Sequence, residues 1–328
     1  MDDVGRNGRV RLHGLPDRPE QRYAGRVHLL SILRIMAQHV QARGILLSAA
    51  CGLLAFAIFV LAVPTRAEFA ETAYQANLIR LQAFLFGSEP KAVLVGSSIS
   101  GRMLSSYFDS TPLRPLSNLG LDGSGPVFGL KLVSNRPPAI VIVEANRFYK
   151  APDSNDVMLH DAMEGRLFRA AQQIPFLRAD RRPSSLLYSW VKLRREGNPS
   201  RPQPNGTNQD PQYNVWPNPA QIPLEMEPLK KMTSTVLRSL REKGSYVVVV
   251  RLPTGHLRAL DVDGLLLASA IVGELELPTI DLESECLSRG YNLEFTDGIH
   301  MTPASARHSS QLLAELVEKQ RTSTGTGP

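Results

Sequence analysis

Cysteine is scarce in this chain: two residues in 328, Cys51 inside an apolar run and Cys286 near the end. Two cysteines so placed build no disulfide framework and exclude a cysteine-type metal site. Charge of one sign is scarce over most of the length. The net charge is +6, but residues 1–44 hold eight Arg against four acidic residues, so +4 of it lies there. The rest is close to neutral, which leaves no phosphate-binding stripe and excludes nucleic acid as an expected partner. The sequence shows no metal site and no sign of a bound organic cofactor. What it does have is ordinary globular composition, 43% hydrophobic and 21% charged, enough to bury a full core.

One long apolar run is present. Ile45 to Val63 reads ILLSAACGLLAFAIFVLAV, 19 residues without a charge. At 1.5 Å per residue it spans roughly 28 Å, close to the hydrocarbon thickness of a bilayer. A buried core helix would carry a polar face. A cleavable signal peptide would have a shorter charged leader than 44 residues, and Thr65-Arg66-Ala67 is a poor cleavage site. Nor does Cys51 fit a lipoprotein cysteine: Ser48-Ala49-Ala50 precede it where a large apolar residue would open that signal. An uncleaved transmembrane helix is therefore expected. The Arg excess before it places the N-terminus in the cytoplasm and residues after 64 outside. Within the leader, residues 1–25 are expected to be disordered, and Val27 to Val40 suits an amphipathic helix on the inner membrane surface.

Beyond the anchor, apolar spacing predicts a connecting helix within 64–90, ended by Gly87 and Pro90. Short β-branched runs then alternate with helical patterns. Strands are expected at Lys91–Val95, Leu116–Leu119, Ala139–Val143, Tyr246–Val250 and Pro278–Leu282. Helices are expected at Ser98–Tyr107, Val127–Val133, Leu229–Lys243 and Pro303–Lys319, with helical pieces over 151–197. This pattern predicts an α/β fold with a mostly parallel sheet covered on both faces. The domain would run over 91–320, interrupted by a Pro-rich insertion at 198–223, a lid or a disordered loop, and followed by a disordered tail at 321–328. Tyr213 and Trp216 in the insertion are aromatic candidates for stacking on a sugar ring, against the plainer reading of local packing.

Four short segments carry chemistry. Val95-Gly96-Ser97-Ser98 closes the first strand of the outer domain, which puts Ser98 at the carboxyl edge of a parallel sheet, where open α/β sheets hold ligands. A helix beginning there would aim its N–H groups at a developing oxyanion. Thr296-Asp297-Gly298-Ile299-His300 precedes the last helix, and an Asp and a His three apart can serve as orienter and general base for a serine. Between them, Gly123 can present a bare backbone N–H, and Asn146, in Glu144-Ala145-Asn146-Arg147, can offer its side-chain amide. Each segment alone is often a simple turn.

Taken together, the order and spacing of Ser98, Gly123, Asn146 and His300 resemble the SGNH (GDSL-like) hydrolase superfamily over about residues 90–320. The resemblance implies a three-layer α/β/α flavodoxin-like fold, with Ser98 as nucleophile and His300 with Asp297 as base and partner. It implies oxyanion donors at the Ser98 N–H, the Gly123 N–H and the Asn146 side chain. The chain departs from the common pattern at Gly96-Ser97-Ser98, in place of Gly-Asp-Ser, and at Glu144-Ala145-Asn146-Arg147, in place of Gly-x-Asn-Asp. Similar departures occur in the membrane-tethered branch that acts on envelope polymers, which includes the alginate O-acetylation proteins and the teichoic-acid D-alanylation protein.

The expected activity is that of a membrane-anchored, extracytoplasmic serine esterase or O-acyltransferase, moving an acyl group, acetyl by preference, on a cell-envelope polysaccharide or exopolysaccharide. Arg147 is a further candidate for substrate contact. A transferase needs an acyl donor on the outer side, which implies a multi-pass membrane partner. Two other readings stay open: a non-catalytic polysaccharide-binding or scaffold module, and a lipase or thioesterase.

Overall fold

The computed structural model describes residues 19–62, 67–196, 222–255 and 262–323. The chain divides into two units at Pro64–Thr65. The first holds helix α1, Pro19–Ala62, which is unbroken from residue 19 of the expected leader through residue 62 of the expected anchor; residues 1–18 of the leader lie outside the described residues. The stretch 19–25, expected to be irregular, is therefore helical. Within α1, Gln38–Phe59 is long and apolar enough to cross a membrane. Its large apolar side chains, Val40, Ile45, Leu46, Leu53, Leu54 and Ile58 among them, are exposed, and burying such side chains in protein or lipid is strongly favoured over leaving them in water.

The second unit is built on five parallel strands: β1 Ala92–Gly96, β2 Leu116–Gly120, β3 Ile140–Glu144, β4 Tyr246–Arg251 and β5 Thr279–Asp281. Their order is β2-β1-β3-β4-β5, all neighbours parallel. This is a doubly wound order whose direction reverses between β1 and β3. The strands consist largely of Val, Ile and Leu because both faces are covered. On one face Val93, Val95, Leu119, Val141, Val143, Val247 and Val249 pack against helices. These are α2 Ala73–Phe86, α3 Pro126–Asn135, α7 Glu227–Glu242 and α8 Val262–Leu275. On the other, Leu94, Leu116, Ile140, Ile142, Val248, Val250 and Ile280 meet the segment after β1, α9 Leu282–Ser288 and α10 Pro303–Ser323.

The helical pieces expected over 151–197 resolve as α4 Ser154–Glu164, α5 Arg166–Gln173 and α6 Pro183–Glu196. Two helices escaped the sequence reading. α8 buries Leu265, Leu267, Ala268, Ala270 and Ile271 and is apolar nearly all round, so it carries no amphipathic period. α9 has only seven residues. Helix α2 is more than a link. It starts at Thr72, whose hydroxyl accepts from the Gln75 N–H, and it buries Ala76, Leu78, Ile79, Leu81 and Phe84 in the core. Residues 321–323 of the expected disordered tail are helical, because α10 runs through Ser323, and 324–328 lie outside the described residues.

Candidate active site

Three neighbouring strands end together. Gly96 lies beside Gly120 in the β1–β2 register, and Val95 lies beside Val143 in the β1–β3 register. Ser98, Gly123 and Asn146 follow β1, β2 and β3 by two or three residues, so all three stand at the carboxyl edge of the sheet, on either side of the reversal point.

The fourth segment comes to the same edge from the loop between α9 and α10. Phe295 and Met301 are buried in the core and pair across an antiparallel bridge, and the Thr296 N–H donates to the His300 carbonyl at 2.8 Å. Gly298 turns the loop with φ +81°, a left-handed conformation that favours glycine. A side chain at Gly255, after β4, would collide with the Gly298 carbonyl, so β4's own loop backs the turn closely. The pinched loop carries Asp297 and His300 outward.

Ser98, His300 and Asp297 form one hydrogen-bonded line across 202 residues of sequence. His300 Nε2 is 2.9 Å from Ser98 Oγ, and His300 Nδ1 is 2.6 Å from Asp297 Oδ2. Asp297 Oδ1 accepts the N–H groups of His300 at 2.8 Å and Ile299 at 3.1 Å. Partial burial disfavours the Asp297 carboxylate, but these two N–H groups and the imidazole outweigh it and hold its carboxyl below the usual range. An ionised Asp297 fixes the proton on Nδ1 and leaves Nε2 as an acceptor facing the Ser98 hydroxyl.

The turn that carries Ser98 is held from below by a residue to which the sequence reading gave no role. Glu144 is fully buried at the end of β3. Its carboxyl accepts the Ser97 N–H at 2.8 Å, the Ser97 hydroxyl at 2.6 Å and the Ser100 N–H at 3.1 Å. The Ile99 N–H in turn donates to Ser97 Oγ. Burial pushes the Glu144 carboxyl up against the pull of those donors. A side chain at Gly96 would collide with Glu144 and Ser100, which explains glycine there. Glu144 thus joins the Gly96-Ser97-Ser98 turn to the Glu144-Ala145-Asn146-Arg147 segment of the adjacent strand.

The helix expected at Ser98–Tyr107 is not formed. Two short 3-10 turns, Ser100–Arg102 and Ser105–Phe108, take its place. Buried Asn118 explains this: its Nδ2 donates to the carbonyls of Ser100 and Met103, competing with helical hydrogen bonds. No helix dipole is therefore aimed at Ser98. Among the described residues the Ser98 N–H has no hydrogen-bond partner, and neither has that of Gly123, which is exposed with φ +81°. Asn146 is buried. One Nδ2 hydrogen goes to the Leu252 carbonyl at 3.0 Å, and its Oδ1 accepts the Leu252 N–H at 2.8 Å. These two bonds anchor the amide to the chain just after β4.

Helix α2 braces the loop after β2. Asn77 exchanges two hydrogen bonds with the Asp122 backbone, at 2.9 and 2.7 Å. Arg80, largely buried, donates to Asp122 Oδ1 at 2.8 Å, to the Gly120 carbonyl, and to the Gly101 carbonyl at 3.1 Å. One guanidinium thereby ties the Gly123 loop to the turn that follows Ser98. Neither its role nor that of Glu144 has a local signal in the sequence; only the sheet brings their partners together.

Arg147 donates to the Tyr149 hydroxyl at 2.6 Å beside the Asn146 segment. Tyr213 and Trp216, with almost all of the Pro-rich insertion, lie outside the described residues. Among the described residues no group of three or more His, Cys, Asp or Glu side chains is placed to hold a metal ion. Comparison with protein-family models, with curated proteins and with solved structures gives no match to this chain.

Proposed function

We propose that the chain is a membrane-tethered serine esterase or O-acyltransferase of SGNH type, acting on an acyl group, acetyl by preference, of a cell-envelope or secreted polysaccharide. The observation that carries this reading is the Ser98–His300–Asp297 line, at 2.9 and 2.6 Å, on the carboxyl edge of a doubly wound sheet. Support also comes from the two unpartnered N–H groups at Ser98 and Gly123.

In this mechanism His300 Nε2 takes the proton from Ser98 Oγ as the oxygen attacks the ester carbonyl. The carbonyl oxygen becomes an oxyanion facing the Ser98 and Gly123 N–H groups and the Asn146 amide. Loss of one such donor typically costs about 3 kcal/mol of barrier. Collapse expels the alcohol, which leaves with the proton from Nε2. Water or a sugar hydroxyl then gives its proton to Nε2 and attacks the acyl-serine, and on collapse the departing Ser98 Oγ takes that proton back, which frees the acid or the acylated sugar. The first acceptor makes an esterase, the second a transferase. Asp297 stays ionised throughout and stabilises the imidazolium.

The apolar helix at Gln38–Phe59 is the basis for the anchor. The Arg excess before it favours an extracytoplasmic position for the second unit, at a bacterial inner membrane. Under a transferase reading the acyl group arrives from a multi-pass membrane partner. The test is labelling of the purified chain by a fluorophosphonate probe, with nitrophenyl acetate turnover measured alongside. Labelling and turnover should both vanish in Ser98→Ala. Absence of labelling in folded wild-type chain would favour a polysaccharide-binding or scaffold module, and turnover confined to long acyl chains would favour a lipase.

A further inference from the structure

Helix α6 packs Leu186 against the core but carries other large apolar side chains outward. It buries Ser185 and Ser189, while Leu187, Trp190 and Arg194 stand exposed, Leu187 at 62% and Trp190 at 51%. Positions 187, 190, 191 and 194 recur at the spacing of one helical face. That face joins a large aliphatic side chain, a tryptophan and a cation. The Arg194 guanidinium lies over the Trp190 ring, 4.0 Å from its centroid. Tyr188 beside it is also exposed.

Charge is concentrated in the same stretch of chain. Residues 178–196 hold five Arg and one Lys against Asp180 and Glu196, a net +4. Residues 45–328 together carry only +2, since +4 of the chain's +6 lies in residues 1–44, so the rest of that stretch is net negative. The same helix is clamped to the chain where it enters the second unit. The Phe69 N–H donates to Ser189 Oγ, which donates back to the Phe69 carbonyl, and the Ala67 N–H donates to the Asp180 carbonyl. Four residues, hence five backbone steps, separate Ala62, the last residue of α1, from Ala67, at most about 18 Å of extended backbone.

We propose that the exposed face of α6 rests on the membrane surface, with Trp190, Leu187 and Tyr188 at the boundary between headgroups and acyl chains and the surrounding cations on anionic lipid headgroups. Three features converge on a lipid occupant: the Trp–Tyr–Leu face, the local positive charge and the short tether. Such a contact holds the second unit down against the bilayer rather than free on its tether, and it selects substrates made or delivered at the membrane. The proposal rests on α1 being a membrane anchor.

The chain has two tryptophans, so Trp216→Phe leaves Trp190 as the sole emitter. The full chain carrying that substitution is reconstituted in nanodiscs of phosphatidylcholine and phosphatidylglycerol at 7:3. The expected result is blue-shifted Trp190 emission, quenched severalfold more by brominated acyl chains than by aqueous iodide. Strong iodide quenching with no bromine quenching overturns the proposal. Shielding from both quenchers also overturns it, because protein, such as the 197–221 segment or a second copy, then covers the face. A companion chain, Trp190→Phe, Trp216→Phe and Leu54→Trp, reports on α1. Bromine quenching there without quenching at Trp190 defeats only the surface contact, whereas no quenching at either position defeats the anchor reading and the proposal with it.

Discussion

At the scale of residues, the proposed mechanism separates groups that move protons from groups that hold them in place. Under it Ser98, His300 and Asp297 act as one unit, so their losses should not add. His300→Ala and Ser98→Ala should each remove nearly all turnover, and the double variant should be no slower than either single one. Asp297→Asn should lower kcat by roughly 10²- to 10⁴-fold, toward the smaller loss because Asp297 is 52% exposed and water can partly replace it. Steady-state rates of the four proteins decide this, and additive losses would contradict a shared mechanism. The depressed Asp297 carboxyl contributes stability above its unfolded value, which is lost as pH falls through the lower folded one. Asp297 therefore stays ionised at neutral pH.

Glu144 has the opposite sign. Its folded carboxyl lies above the ordinary value of 4.5, so its favourable contribution is complete below that pH and fades as pH rises through the folded value. Glu144→Gln should flatten that part of the stability-pH curve, and urea unfolding from pH 4 to 8 measures it. Glu144→Ala should cost more than Glu144→Gln, about 3 kcal/mol or above, because it leaves the Ser97 and Ser100 donors buried without an acceptor.

At the scale of elements, α2 has the most to reveal. Its apolar period was legible in the sequence, from the recurrence of Ala73, Ala76, Leu81, Phe84 and Leu85, and so was its end at Gly87. That it braces the site was not, because Arg80 reaches Gly101, Gly120 and Asp122 only after β1 and β2 have paired. Arg80→Ala should cut kcat by about 10- to 100-fold through a loosened Gly123 loop, with a smaller effect on KM, and lower stability by about 2–3 kcal/mol. Equal kcat in a destabilised variant would make Arg80 purely structural. The segment after Ser98 shows the reverse case. Its composition suits a helix, but Asn118 occupies the carbonyls of Ser100 and Met103, and tertiary contacts override the local preference.

At the scale of the whole molecule, the two units have separate physical demands. α1 presents apolar side chains all along Gln38–Phe59, while the second unit closes its own core on both faces of the sheet. Full-length chain in membranes should resist extraction by alkaline carbonate, and a chain starting at Ala67 should be released by it while keeping fluorophosphonate labelling at Ser98. Release of the full-length chain would count against the anchor, and loss of labelling after truncation would show that the first unit shapes the site.

What the sequence determined alone is what local composition can encode. The uncharged run of α1, the β-branched strands and the short Gly-Ser-Ser and Asp-Gly-Ile-His motifs are contiguous, and their periods follow from backbone geometry. The tertiary structure decided the rest: the carboxylate supplied to Ser97 from Glu144, the Arg80 clamp, the 3-10 turns in place of a helix, and the outward Leu187 and Trp190 of α6. Each depends on partners brought together only by chain closure or on which face of a helix the core accepts, and no local pattern records either.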